Sequence, residues 1–400
     1  MKKLDSKKQY NALNLALLLG ALFANPALAL EPASIDAGSF QIIPQVNFQI
    51  GHDDNIYLTE ADSVDSMITV INPSVQTVLE KGLNVYSLNY AIKHGRYQYD
   101  SNDNYTDHDL TAQAYLDFNV RNRLELLARY LKTHEDRGTG LNQGVNATVN
   151  NSPIEYHVNT LSAEYSFGAN EAKGRIEVEA EVNDREYDNY RTQTAARDRI
   201  NSKVRGAFYY RMMPKTYLLF EIEHENIDYD RSTVTLDSDE IEYLLGATWE
   251  ATAKTTGIFK IGYAEKDFDF ATRNDSDGIS WELAANWAPR TYSVVSFVTS
   301  KEEEETDGAG NYIDTTSWSL GWEHDWGNRV VSRVGYGQSE QEYVSSSRED
   351  QTKKFGVGVS YQLQRWLDLE LDYTYSDRES NQVGLDFDKN VVYLTVQGSL

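Results

Sequence analysis

Cysteine is absent from the 400 residues, which excludes disulfide scaffolds, thiolate metal sites and cysteine nucleophiles. Beyond about the first 25 residues there is no apolar run long enough for a transmembrane helix, so a helical membrane protein is excluded as well. Basic residues are scarce, with 37 Lys and Arg against 62 Asp and Glu and a formal net charge of -25. So acidic a chain repels phosphates and argues against a nucleic-acid partner. What remains is a soluble globular protein or a β-barrel.

The first 29 residues have the three parts of a secretory signal peptide in order. An apolar core runs from Leu13 to Ala24, and Ala27 and Ala29 supply the small residues of a cleavage site. The basic start consists of Lys2, Lys3, Lys7 and Lys8. Cleavage after Ala29 leaves 33 basic and 61 acidic residues. The sequence therefore predicts export, and an even more acidic mature chain.

From about Gln41 onward the sequence alternates apolar and polar residues, which is typical of β-strands. In one segment, Ile176, Val178 and Val182 alternate with glutamates. The alternating stretches are about twice as long as the five or six residues of an average soluble strand, and they suit a tilted membrane crossing of about 9 to 11 residues.

The connections between these stretches alternate between short turns and long polar loops, as in outer-membrane barrels. Short turns are predicted near 81–82, 121–122, 168–174, 214–215, 253–254, 289–290, 327–328 and 365. Long loops are predicted at 52–64, 134–153, 230–237, 301–311 and 379–388. Aromatic residues beside the short turns suit a periplasmic girdle, namely Phe118, Phe167, Tyr210, Trp249, Trp287, Trp326 and Trp366.

The predicted fold is all-β, a transmembrane antiparallel up-and-down barrel of about eighteen strands, sixteen being possible because 291–304 and 329–345 alternate ambiguously. The predicted organisation is a signal peptide at 1–29, a short periplasmic segment at 30–41 and the barrel at 42–400. An even number of strands places both termini on the periplasmic side.

Short motifs in the first third resemble the β-barrel porin-2 family. They are Asp53-Asp54-Asn55-Ile56-Tyr57, Asn72-Pro73-Ser74-Val75 and His134-Glu135-Asp136-Arg137-Gly138. The resemblance implies an outer-membrane barrel of the kind often encoded with exopolysaccharide or capsule clusters, including the barrel of vibrio polysaccharide loci. It implies no catalytic residues.

If apolar residues face lipid, the opposite face lines the lumen and is unusually charged. The acidic and basic pore-lining candidates are Glu177, Glu179, Glu181, Lys203, Arg205, Arg211, Glu221, Glu223, Glu282, Asp368, Glu370 and Asp372. Opposite charges on neighbouring strands can pair. One interpretation is that these rows give an aqueous pore a preference for cations; the other is that they are merely the polar wall of a water-filled barrel.

Three further features allow more than one interpretation. Acidic loops could bridge divalent cations to lipopolysaccharide or simply be solvated. Six tyrosines near the outer strand ends could line a path for polysaccharide, but an outer aromatic girdle is favoured; they are Tyr97, Tyr99, Tyr187, Tyr190, Tyr229 and Tyr343. An acid–base pair of His94 with Asp107 would require two strands to bring it together.

We therefore expect a channel-forming barrel of the outer membrane for exopolysaccharide or capsule export, and not an enzyme. The alternatives are a general cation-preferring diffusion porin and a docking barrel plugged by a partner or by the loop His134 to Pro153. The expected partners are outer-membrane lipid, lipopolysaccharide, the barrel assembly machinery and polysaccharide or its export components. No cofactor, metal or catalytic site is expected.

Overall fold

A computed structural model describes residues 34–252 and 254–399. The predicted signal peptide, Ala253 in one predicted turn, and Leu400 lie outside the described residues. Among the residues described, no helix is long and apolar enough to cross a membrane.

Nineteen strands make up almost the whole of the described chain. They are β1 (Ile35–Ala37), β2 (Phe40–Asp53), β3 (Ser66–Lys81), β4 (Asn84–Tyr97), β5 (Tyr105–Asn119), β6 (Asn122–Glu135), β7 (Ile154–Phe167), β8 (Gly174–Tyr187), β9 (Arg199–Met213), β10 (Thr216–Tyr229), β11 (Ser238–Thr252), β12 (Thr255–Phe268), β13 (Ser276–Arg290), β14 (Ser293–Glu305), β15 (Tyr312–Asp325), β16 (Val330–Tyr343), β17 (Glu349–Gln364), β18 (Leu367–Ser380) and β19 (Phe387–Ser399). The loops hold one short helix, α1 (Arg191–Thr194), and three 3-10 turns at Ser101–Asp103, Gly140–Asn142 and Gly144–Asn146.

Strands β2 to β19 form a closed barrel in which every strand pairs antiparallel with its neighbours in sequence. The ring is closed by β19 against β2, in a register that runs from Val391 opposite Asp53 to Ser399 opposite Gln45. The short β1 pairs with the start of β2, with Ile35 opposite Ile42. The prediction of an eighteen-strand antiparallel barrel is confirmed.

The two faces of the barrel differ as the alternation predicts. In β8, Ile176, Val178 and Val182 are exposed on the outside, whereas Glu177 between them is buried. A membrane offers no water to unpaired backbone groups, and a closed ring of strands leaves no free edge. The apolar outer face and the closed hydrogen-bonding ladder are therefore both suited to lipid.

Strand boundaries match the expected rhythm of turns and loops, with two differences. The chain turns at 291–292 and not at Pro289-Arg290, which lie within β13. The acidic run Glu302 to Glu305 is the end of β14 and not a loop. Alternation in 291–304 was ambiguous because threonine, serine and lysine stand among the valines, so neither face is clearly apolar.

Aromatic side chains surround the end of the barrel that carries the short turns. Of the seven residues expected there, six are exposed and Trp249 is partly buried. Exposed rings at this level are in the position of an interfacial girdle.

Candidate functional site in the lumen and at the mouth

All twelve predicted pore-lining residues lie on the inward-facing positions of their strands. The register places Glu179 directly opposite Arg205 across the β8–β9 pair, and Arg205 opposite Glu223 across β9–β10. Alternation therefore brings rows of opposite charge together on the inner wall.

Arg205 is the centre of the largest charged cluster. Its Nε donates to Glu179 Oε2 at 2.9 Å, its Nη1 to Glu221 Oε2 at 3.1 Å and its Nη2 to Glu164 Oε2 at 2.9 Å. Glu164, on β7, is absent from the predicted set. The guanidinium has a fixed fork of donors, so three carboxylates from three strands are held around one cation.

Lysines extend this cluster along the wall. Lys260 Nζ lies 2.9 Å from Glu221 and 3.0 Å from Glu282, and Lys203 lies 3.4 Å from Glu223. Arg211 lies on the same face of β9, near the turn at 214–215, and Glu181 pairs with the amide of Asn183.

The cluster borders a lumen cavity of about 520 Å³ whose lining has more acids than bases. Its acidic side chains are Glu125, Glu164, Glu179, Glu181, Glu221, Glu223, Glu242, Glu282 and Glu302. Its basic ones are Arg129, Lys203, Arg205, Lys260 and Lys301. Two of these bases are paired elsewhere, because Arg129 contacts Asp109 and Lys301 contacts Asp314. The lining therefore has a net negative charge.

A second charged group lies on the opposite wall, on β16 and β18, seven and nine strands around the ring from β9. Arg333 on β16 forms ion pairs with Glu370 and, at 3.7 Å, with Asp372 on β18. Asp368 is buried near the turn at 365–366. The twelve predicted residues thus form two groups on facing walls.

The loop at 136–153 crosses the mouth of the barrel at the end opposite the short turns. It contains two 3-10 turns, and Asn142, Ala147 and Asn150 within it are almost fully buried. Residues at the mouth can be so fully buried only if other loops surround them. The loop therefore packs among the other loops and does not lie above them.

Gln143 joins this loop to the far side of the mouth. Its Nε2 donates to Asp307 Oδ2 at 2.6 Å, and its Oε1 accepts from Arg348 Nη2 at 2.6 Å and from Arg378 Nη1 at 3.5 Å. The loop leaves the wall at β6 and β7, whereas Asp307 follows β14, Arg348 follows β16 and Arg378 lies near the end of β18. The contacts therefore span the opening, and we call these four residues the latch.

Asp307 is largely enclosed by the latch. Desolvation raises the pKa of its carboxyl, outweighing the opposite effects of Arg348, the Gln143 hydrogen bond and Arg197. Arg348 is itself anchored by Asp350, with Nη2 to Oδ2 at 2.5 Å.

The base of the same loop is fixed by an arginine. Arg137 lies over the ring of Tyr57, 4.3 Å from its centroid, and contacts Asp103 through Nε at 2.5 Å. Burial, followed by the hydrogen bond to Asp103, raises the pKa of the Tyr57 hydroxyl. Arg137 thus connects three loops.

The favoured girdle interpretation is wrong for four of the six outer tyrosines, since Tyr97 lines an inner cavity near the mouth and three others are also inside. Tyr187, Tyr229 and Tyr343 are buried on the inner side, each with an arginine over its ring. They share the inward parity of the lumen residues on their own strands, so a place near a strand end does not by itself put a ring at the interface. Tyr99 is exposed, and Tyr97 and Tyr190 are partly buried.

The suggested pairing of His94 with Asp107 does not form. His94 bonds Thr106 on the neighbouring strand, whereas Asp107 accepts from His134 Nδ1 at 2.7 Å. No group of three or more potential metal ligands occurs in the described part of the chain.

Sequence reasoning missed Glu164 and the latch for different reasons. Glu164 occupies an inward position of β7 and could have been found by extending the alternation used for β8. Gln143, Asp307 and Arg348 come from three separate loops and Arg378 from the end of β18, so no single periodicity connects them.

A closed barrel with an apolar outside, a charged lumen and a loop across its mouth is the architecture of porin-type outer-membrane proteins. The chain belongs to the family described as Putative beta-barrel porin 2, whose model matches residues 28–399. Porins are transport proteins, and the expectations of an outer-membrane channel fold and of no enzymatic role are confirmed. Among curated proteins, none matches significantly.

Solved outer-membrane barrels share the fold at low identity. Pseudomonas aeruginosa OccK1 (OpdK) is 11% identical, with a TM-score of 0.51 over 90% of this chain and 99% of that chain. OpdK with vanillate gives 12% identity and a TM-score of 0.50 over the same shares. Acinetobacter baumannii OccAB4 gives 10% identity and a TM-score of 0.48, covering 94% of this chain and 100% of that one.

Proposed function

We propose that the protein is a gated channel of the outer membrane, in which the loop at 136–153 closes the mouth and the latch holds it there. The observation that carries this proposal is the reach of Gln143 to Asp307, Arg348 and Arg378 on the far side. A loop that only decorated a permanently open pore would have no need of partners across the opening.

The solute we propose is an exopolysaccharide or capsular polysaccharide. Two observations support it: the family resemblance, which implies barrels encoded with polysaccharide clusters, and the tyrosines buried on the inner side near the mouth. Sugars pack on aromatic faces. A pore that opens only at times also suits a dedicated exporter. A permanently open barrel of eighteen strands would have an aqueous channel that passes other solutes.

A second proposal concerns small ions when the pore is open. The cavity lining contains nine carboxylates and five basic side chains, and an excess of one charge sign lining a narrow, water-filled passage favours ions of the opposite sign. We therefore propose a preference for cations.

The test of gating is single-channel conductance of the mature chain, residues 30–400, refolded into planar bilayers. We expect rare openings from the native chain and a large rise in open probability for Gln143→Ala. The matched control is Val149→Ser, since Val149 is exposed in the same loop. Constant openings from the native chain, or equal behaviour of both variants, would show that the latch does not gate the pore.

The test of the solute uses proteoliposomes and the uptake of labelled oligosaccharides. The Gln143→Ala barrel should admit oligosaccharides faster than the native barrel does. If the unlatched barrel conducts ions but excludes every oligosaccharide offered, the polysaccharide proposal is wrong and the general porin is favoured.

A further inference from the structure

We propose that Arg185 and Arg199 form a binding site for an oxyanion group, either a carboxylate or a phosphate, on the inner wall near the mouth. The proposal goes beyond the gated channel and does not depend on which polymer the channel carries. It gives a ligand chemistry to two cations that lie outside the ion-pair clusters described above.

The two arginines are direct neighbours across the β8–β9 pair. Arg185 has the inward parity of Glu181 on β8, and Arg199 has the inward parity of Arg205 on β9. The Cβ atoms of directly opposed residues in an antiparallel pair lie about 5 Å apart. Two guanidinium groups therefore start from adjacent points on the same inner face, where the loop that contains α1 joins the two strands.

Neither arginine has an acidic partner. Among the described residues, no carboxylate lies within ion-pair distance of Arg185 or Arg199, and no acceptor forms a hydrogen bond with either guanidinium. Arg199 Nε is buried without a hydrogen-bond partner, while both side chains as a whole are only partly buried. Each guanidinium carries a fork of N–H donors, so the pair offers two positive charges and a set of unused donors.

Other cations already hold the acids of this part of the mouth. Glu135 pairs with Arg197 Nη1 at 3.0 Å. Glu305 is near enough to Arg199 to be attracted to it, but its ion pair is with Lys266 Nζ at 2.8 Å. The two opposed arginines are therefore an excess of positive charge on this stretch of wall.

An anion would relieve the repulsion within the pair. Like charges directly opposite each other destabilise a strand pair. Arg185 Cζ lies 5.0 Å from the ring centroid of Tyr156, and Arg199 Cζ lies 5.8 Å from that of Tyr229, but a neutral ring cannot cancel a full charge. A carboxylate or phosphate can, and the geometry of both groups matches the donor fork of a guanidinium.

The site lies between the mouth and the acidic cavity of the lumen. Glu181 lines that cavity, and Arg185 is four positions further along the same strand, a rise of roughly 13 Å. The carboxylates of the cavity would repel an anion. A bound oxyanion is therefore held near the mouth and is not drawn deeper into the lumen.

The experiment is titration calorimetry of the folded full barrel in detergent with galacturonate, inorganic phosphate and neutral galactose. It is run on the native barrel and on Gln143→Ala. We expect saturable binding of at least one anion and none of galactose. Binding of galacturonate alone would identify carboxylates as the ligand class, and binding of phosphate alone would identify phosphate groups. Arg185→Gln and Arg199→Gln should each lower the affinity about tenfold, because each removes one charged partner of the anion.

The matched control is Arg231→Gln, since Arg231 is exposed in the loop after β10 at the same end of the barrel. It should bind anions as the native barrel does. No saturable binding of either anion to either barrel, equal affinities in all three arginine variants, or galactose binding as tight as that of galacturonate would each overturn the proposal.

A second readout separates ligand binding from a structural role. Without an anion, Arg185→Gln and Arg199→Gln should leave the temperature at which the folded band disappears in a heat-modifiability gel unchanged or higher, because each removes one of two like charges. A lower temperature in both variants would mean that the pair stabilises the empty barrel and would contradict the site. Gating is measured by the conductance of Gln143→Ala, so either proposal can fail while the other stands.

Discussion

Arg205 Nη1 donates to Glu221 Oε2 at 3.1 Å inside the barrel, and Glu221 also accepts from Lys260 Nζ at 2.9 Å. Two cations, one from β9 and one from β12, thus share one buried carboxylate of β10. Because Arg205 also holds Glu164 and Glu179, it neutralises acids on three strands, and the inner wall around it depends on this one side chain.

Replacing Arg205 with methionine should destabilise the barrel. Three glutamates would be left without their shared cation, and breaking a buried ionic network by removing one partner costs about 3 kcal/mol. The temperature at which the folded band disappears in a heat-modifiability gel should fall. Arg211→Met, on the same face of β9 but near the turn, should leave that temperature nearly unchanged. Equal losses in both variants would contradict the central role of Arg205.

Neutralising lumen carboxylates should weaken the cation preference. Glu125 and Glu181 line the same cavity, and the double variant Glu125→Gln/Glu181→Gln preserves shape while removing two negative charges. The reversal potential in a salt gradient, measured in the Gln143→Ala background, should shift towards zero. Glu265→Gln is the control, since Glu265 is exposed on the outer face of β12. An unchanged potential in the double variant would mean that the lining is a polar wall without selectivity.

Mutation of Arg348 should open the pore as Gln143→Ala does. Arg348→Met removes the donor to Gln143 Oε1 and the ion-pair partner of Asp350. The loop therefore loses a partner on the far wall. Open probability should rise several-fold, as expected for the loss of a charged hydrogen bond of about 1.5 kcal/mol or more. Arg191→Met is a control, because Arg191 pairs with Asp198 away from the latch.

Acidification should favour the closed mouth. The pKa of Asp307 is raised in the latched structure, chiefly by desolvation, and opening the loop would return the carboxyl to water and to its ordinary pKa of 3.8. The closed state therefore binds a proton more tightly, and its stability increases as the pH falls through the raised pKa towards 3.8.

The measurement is open probability at neutral pH and at progressively lower pH. The native barrel should open less often in acid. Asp307→Asn keeps an acceptor for Gln143 but cannot titrate, so it should open rarely at every pH and show less pH dependence. If the native barrel opened more often in acid, the prediction that protonation of Asp307 stabilises the closed mouth would be wrong.

The fold was predictable because membrane crossing imposes a rule on each strand. In segments such as 176–182 the alternation identifies the lipid-facing side chains directly. The positions between them face the lumen, so Glu179, Arg205 and Glu221 are placed inside from the sequence of each strand alone. The turn at 291–292 was misplaced by two residues because Pro289 is a common turn residue, yet it lies here within the end of a strand.

The mouth was less predictable, because loop contacts follow no periodicity. The loop after β6 could be named from the sequence as a possible plug, but its contacts at the mouth could not be. Tyr187, Tyr229 and Tyr343 were assigned to an outer girdle from their place near strand ends alone. Tyr187 shares the parity of Glu177, and Tyr229 shares that of Glu221, so the alternation itself places these rings inside.

The reach of Gln143 also fixes an order of events in biogenesis. Its partners Asp307, Arg348 and Arg378 lie 164, 205 and 235 positions further along the chain, and contacts of such long sequence separation form late in folding. The last of them, Arg378, lies on β18, the penultimate strand of the barrel. The closed mouth that we propose can therefore form only after the last hairpin, β18 and β19, has joined the sheet and completed the ring.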